Sequence, residues 1–98
     1  MQTVTATIGK EHYKTIIHSD TNSLISDEPH SLGGEDLGFS PDELLGSALA
    51  SCTAITLRMY ADRKGYSLDE IRVSVSVEWN RETSRTFLKK TLSFKGPI

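Results

Sequence analysis

Residues 40–65 read SPDELLGSALASCTAITLRMYADRKG and carry the only cysteine of the chain, Cys52. Ser40 is a strong N-cap residue, Pro41 suits the first helical position, and Glu43, three residues after the cap, completes a capping box. At the far end Arg63 and Lys64 set positive charge against the negative pole of the helix dipole, and Gly65 can take the left-handed conformation that stops a helix. The stretch therefore predicts one long helix with both ends specified. From residue 44 to residue 57 there is no charge, and Gly46, Ser47, Ala48, Ala50, Ser51, Cys52, Thr53 and Ala54 keep the surface small. A helix apolar around most of its circumference needs cover on more than one side.

Working outward, residues 71–79 alternate strictly, with Ile71, Val73, Val75, Val77 and Trp79 expected inward and Arg72, Ser74, Ser76 and Glu78 outward. A polar turn over residues 80–84 and a second run over 85–94, with Leu88, Leu92 and Phe94 inward, make a hairpin. On the N-terminal side residues 3–8 and 12–18 alternate in the same way across a turn at Gly9, Lys10 and Glu11, predicting another hairpin. After a turn at Asp20, Thr21 and Asn22, the stretch Ser23–Ser26 has the length of a further short strand. Residues 27–39, with Pro29, Gly33-Gly34 and Gly38, lack periodicity and read as an irregular loop feeding the helix cap. That loop is either a plain surface connection or a rim of a site around Cys52.

The chain has 98 residues, 37% hydrophobic and 24% charged, which predicts a single domain over residues 1–98 with room for one modest core. The order of elements is that of an α+β fold in which antiparallel sheets pack on a long central helix. One sheet covers one side of the helix; a second copy of the chain is the natural cover for the other, so a homodimer is expected. A net charge of -2 without a basic stripe argues against nucleic acid as a partner. The uncharged run falls short of the roughly 20 apolar residues that span a bilayer, and the N-terminus shows no signal-peptide pattern, so no membrane partner and a cytoplasmic location are expected. One cysteine makes no internal disulfide, which leaves an inert core thiol or a reactive one. His12, His18 and His30 match no ligand spacing, Gly33-Gly34 lacks a phosphate-loop context, and neither metal nor cofactor is expected. Trp79 reads as a core anchor, and Tyr13 and Tyr66 need no special role, although either could border an apolar pocket.

The segment from Gly33 to Gly65 resembles the OsmC/Ohr family, the osmotically inducible and organic hydroperoxide resistance proteins. The resemblance is carried by Gly33-Gly34, then Pro41, the acids Asp42 and Glu43, the pair Leu44-Leu45, the small residues, and Ala50-Ser51-Cys52 on a long helix. Residues 67–77, SLDEIRVSVSV, fit it as well. It implies an intertwined homodimer and thiol-dependent reduction of organic hydroperoxides, with Cys52 at the place of the peroxidatic cysteine. Asp42 stands where many members carry a site glutamate, one methylene longer, and Glu43 follows it. Two departures stand out. The family's second, resolving cysteine lies on a later helix, and this sequence stops at Ile98 before one; a sulfenic acid at Cys52 could still be reduced by an external thiol, and a degenerate copy that no longer turns over fits as well. The family's N-terminal arginine has no counterpart, since no arginine precedes Arg58.

Chemistry sharpens the question. A peroxidatic cysteine attacks as thiolate, and Cys52 lies too deep in the helix for the positive N-terminal pole to stabilise that charge. Asp42, ten residues earlier, is about 15 Å away along the axis, so an acid serving this thiol acts through a bridging basic residue or comes from another subunit. Arg58, about 9 Å along on a different face, reads as a surface or interface ion pair. Besides the peroxidase reading stand two rivals, a non-catalytic dimer that binds a small apolar ligand and a purely structural dimer.

Overall fold

The computed structural model describes residues 2–80, 82 and 85–96. In chain order it contains strands β1 (Thr5–Ile8), β2 (Thr15–His18) and β3 (Ser23–Ser26), a short 3-10 turn at His30–Leu32, helix α1 (Pro41–Lys64), and strands β4 (Glu70–Asn80) and β5 (Arg85–Lys95). One long helix with two antiparallel sheets makes the α+β class expected from the sequence. The chain divides into two compact units, Met1–Leu44 and Leu45–Ile98, with the boundary inside α1.

In the first unit β1, β2 and β3 form an antiparallel sheet in that order, running Thr5↔His18 to Ile8↔Thr15 and Thr15↔Ser26 to His18↔Ser23. The short third strand is therefore real. Its hairpin is closed by Ser19, whose Oγ accepts the amides of Asn22 at 3.0 Å and Thr21 at 3.4 Å. The first two strands are shorter than alternation predicts: β1 begins at Thr5 opposite His18, where β2 ends, and β2 begins only at Thr15 because the segment before it leaves the ladder. The Tyr13 amide is taken by the Asp27 carboxylate at 3.2 Å, and the Thr15 hydroxyl folds back onto the Tyr13 carbonyl at 3.0 Å. A backbone N–H bonded to a side chain has nothing left for a neighbouring strand.

The start of α1 has the reciprocal box that the sequence predicts. The Glu43 amide donates to Ser40 Oγ at 3.2 Å, and the Ser40 amide donates to Glu43 Oε1 at 2.9 Å. The end is a full Schellman closure: Gly65 sits at φ +74°, its amide bonds to the Asp62 carbonyl, and the Tyr66 amide bonds to the Ala61 carbonyl at 2.9 Å.

In the second unit β4 and β5 pair without interruption from Glu70↔Lys95 to Asn80↔Arg85. Of the predicted turn, Arg81, Thr83 and Ser84 lie outside the described residues. Helix and strand meet at Gly46, where an added Cβ would lie 3.3 Å from Val77 Cγ2 and 3.7 Å from Val75 Cγ1. Ile71, Val73, Val75 and Val77 are half-buried, as the alternation requires. Trp79 departs from expectation: it is 54% exposed, because it lies beyond the Gly46 contact and none of the described residues of this unit covers it. Leu88, Leu92 and Phe94 are exposed too, since the helix covers β4 and leaves β5 open.

Among the described residues Ala61 is the one buried apolar side chain, and no large side chain is fully buried. Most of the helix's apolar surface is thus uncovered in the single chain. By length and composition alone α1 is also long and apolar enough to cross a membrane, with a mean hydropathy of 1.2 over its best window, which extends past the uncharged run considered in the sequence. The core helix of a soluble protein meets the same criterion.

Candidate functional site

Cys52 sits near the middle of α1 on an exposed surface. It follows Gly46 by six residues, which turns it about 120° away from the face that meets β4. Leu45, Ala48, Ile55 and Met59 share its side at helical spacing and are exposed with it. The thiol therefore lies within an uncovered apolar stripe, and the core-thiol reading is not met within this chain. Among the described residues no hydrogen bond or ion pair reaches its side chain.

The other sequence candidates lie elsewhere. Asp42 and Glu43 are both exposed in the first turn of α1, and Glu43 is engaged in the capping box. Ten helical positions, about 15 Å of rise, separate Asp42 from Cys52 on one chain. Arg58 is committed away from the thiol: Nη1 donates to the Leu68 carbonyl at 3.0 Å and pairs with Asp62 at 3.8 Å. No group of three or more metal-ligating side chains is found among the described residues.

Two features bear on ligands. In the second unit Leu57, Tyr60, Ala61, Tyr66, Leu68 and Phe94 line an apolar cavity of about 200 Å³. Tyr66 thus borders an apolar pocket, its ring edge-on to Tyr60 at 6.3 Å between centroids. In the first unit Tyr13 and Leu32 are among the residues around a larger cavity, about 340 Å³, that Asp27 also lines. Asp27 itself escaped sequence reasoning. Its burial had one indirect signal, Gly34 and Gly38, where an added Cβ would collide with the carbonyls of Glu28 and Ile25.

An exposed lone cysteine on a long, small-residue helix over an antiparallel hairpin defines a helix-borne thiol protein of the α+β class. A family model described as OsmC-like protein matches residues 33–97, 65 of the 98 residues, and the chain belongs to that family. The match begins in the glycine pair and takes in α1, β4 and β5. Membership makes the chain a redox- or peroxide-related protein at the level of the family. No curated protein matches the sequence.

Proposed function

We propose that the protein is a homodimeric thiol peroxidase that reduces organic hydroperoxides through Cys52. The observation that carries this reading is the exposure of Cys52 within an apolar helix stripe, inside the family-matched segment. An apolar setting suits the organic part of a hydroperoxide, and an accessible sulfur is what its O–O bond requires. The Cys52 thiolate attacks the terminal peroxide oxygen, the S–O bond forms as the O–O bond breaks, and the departing alkoxide takes a proton and leaves as the alcohol. Cys52 is left as a sulfenic acid. An external thiol condenses with it to a mixed disulfide and water, and a second releases the Cys52 thiol and an external disulfide, so two thiols supply the two electrons. The reducing thiol pool of the cytoplasm is the natural source.

A second copy of the chain covers the apolar side chains that flank Cys52 in the stripe, such as Ile55 and Met59, and leaves the sulfur itself within reach of the peroxide. Because Asp42 is remote from Cys52 on its own helix, the acid and cation that stabilise the thiolate act through a bridging basic residue or come from that copy. The test is direct: after treatment with cumene hydroperoxide, a dimedone-type probe adds to Cys52 in the wild type and to nothing in Cys52→Ser, read by intact and peptide mass. No adduct on the folded wild type ends the peroxidase reading.

The apolar cavity beside Tyr60 and Tyr66 favours a second reading, a non-catalytic dimer that holds a small apolar ligand. Equal affinity of the wild type and Cys52→Ser for a naphthalene-based fluorescent probe, with no peroxide consumption by either, selects it.

A further inference from the structure

Asp27 is 2% exposed, and the chemistry above makes no use of it. Its carboxylate collects four backbone donors from three segments. Oδ1 accepts the amides of Tyr13 at 3.2 Å and Glu28 at 2.7 Å, and Oδ2 accepts those of Glu35 and Leu37, each at 3.3 Å. The segment 28–39 so gathered is also pinned at its far end. The Asp27 amide and the Ser26 hydroxyl both donate to the Phe39 carbonyl, at 3.1 and 2.8 Å, one residue before the cap of α1. A backbone bond from the Asp36 amide to the Glu28 carbonyl, at 3.1 Å, crosses the same segment.

We propose that Asp27 is a carboxylate latch: ionised, it holds residues 28–39 closed against the Tyr13 turn, and protonation releases the middle of that segment while the β1–β2–β3 ladder stays paired. The chemistry is that of acceptor capacity. An ionised carboxylate offers lone pairs on both oxygens, whereas a protonated one turns one oxygen into a donor facing N–H groups. Burial pushes the Asp27 carboxyl up, but the amides of Glu28, Leu37, Tyr13 and Glu35 together outweigh it and hold the group below the ordinary carboxylate value. The ionisable residues on the segments that meet there are His12, Tyr13 and Lys14 on the turn and Glu28, His30, Glu35 and Asp36 on the strap. Among the described residues none forms an ion pair with Asp27. Leu32, carried on the strap, lines the 340 Å³ cavity with Tyr13 and Asp27, so release of the strap alters that cavity.

The test is amide hydrogen exchange resolved by residue, expressed as protection over the intrinsic rate at each pH, for the wild type and Asp27→Asn. In the wild type, protection at Glu35 and Leu37 falls on the order of tenfold or more as pH drops through the range where Asp27 protonates, while amides of β2 and β3 keep theirs. In Asp27→Asn the loss at Glu35 and Leu37 is present at neutral pH and no longer depends on pH. Tyr13 and Glu28 stay protected there, because the amide oxygen replaces Oδ1. Equal protection of Glu35 and Leu37 in the two proteins overturns the latch. So does a wild-type profile in which these amides and those of β2 and β3 lose protection together. If the variant does not fold, the wild-type pH series decides alone.

Discussion

The double role open to Glu43, helix cap or site acid, is resolved by dissecting the capping box. Ser40→Ala removes the Oγ that accepts the Glu43 amide at 3.2 Å, leaving the reciprocal bond from the Ser40 amide to Glu43 in place. Loss of such a cap costs about 1 kcal/mol. For a domain of this size each kcal/mol moves Tm by about 4–8 °C. Glutamine serves in the same box, so Glu43→Gln keeps the acceptor for the Ser40 amide, and the charge it gives up near the helix N-terminus is worth a few tenths of a kcal/mol or about 1–3 °C. The assay pairs thermal melts at one fixed protein concentration with hydroperoxide consumption, since a dimer's Tm depends on concentration. The expected pattern is a clear drop in Tm for Ser40→Ala, a small one for Glu43→Gln, and turnover retained in Glu43→Gln. An unchanged Tm in Ser40→Ala would refute the energetic argument. Lost turnover in Glu43→Gln at wild-type Tm would return the carboxylate to the chemistry.

Other perturbations follow from the same geometry. Gly34→Ala and Gly38→Ala drive a methyl into the Glu28 and Ile25 carbonyls and destabilise by on the order of 2 kcal/mol or more in urea melts, whereas Gly9→Ala, with nothing within 4 Å, serves as a near-neutral control. If the proposed dimer forms through the exposed stripe, Ile55→Glu, placed there with Cys52, converts it to monomer in light scattering and removes the concentration dependence of Tm; a wild type that is monomeric at all concentrations contradicts the covered-stripe proposal. Arg58→Met breaks the bond to the Leu68 carbonyl and an exposed ion pair, for a loss of about 1 kcal/mol that comes mostly from the carbonyl bond. For Asp27 the sign is set by its lowered pKa: it stabilises the fold above the ordinary carboxylate range, and that contribution is lost as pH falls through its lower folded value. The urea midpoint of Asp27→Asn is then flatter across that interval than the wild type's.

Helix α1 and the β4–β5 hairpin could be read from the chain because what specifies them is local. The cap, the Schellman closure and the period-2 alternation all act within a few residues of where they are written. Family membership was legible for the same reason, since its marks lie along one helix and the strand after it. What alternation could not supply was cover: it puts Trp79 on the same face as Val77, but only the place where Gly46 meets β4 determines that one is half-buried and the other open. The loop over residues 27–39 was legible as a loop and no further. Asp27, between a serine and Glu28-Pro29, has the look of a solvated turn residue, and its burial depends on donors up to fourteen residues away in sequence. The same bond from Tyr13 shortens the second strand.

Cys52 divides along this line. Its place on a long, capped helix among small residues was determined by sequence alone, through interactions between neighbours in the chain. Which way its sulfur faces was settled only when Gly46 packed against Val75 and Val77, because a helix apolar nearly all round carries no pattern to choose its buried side. Tertiary contact made that choice and left Cys52 outside, in the stripe with Ile55 and Met59.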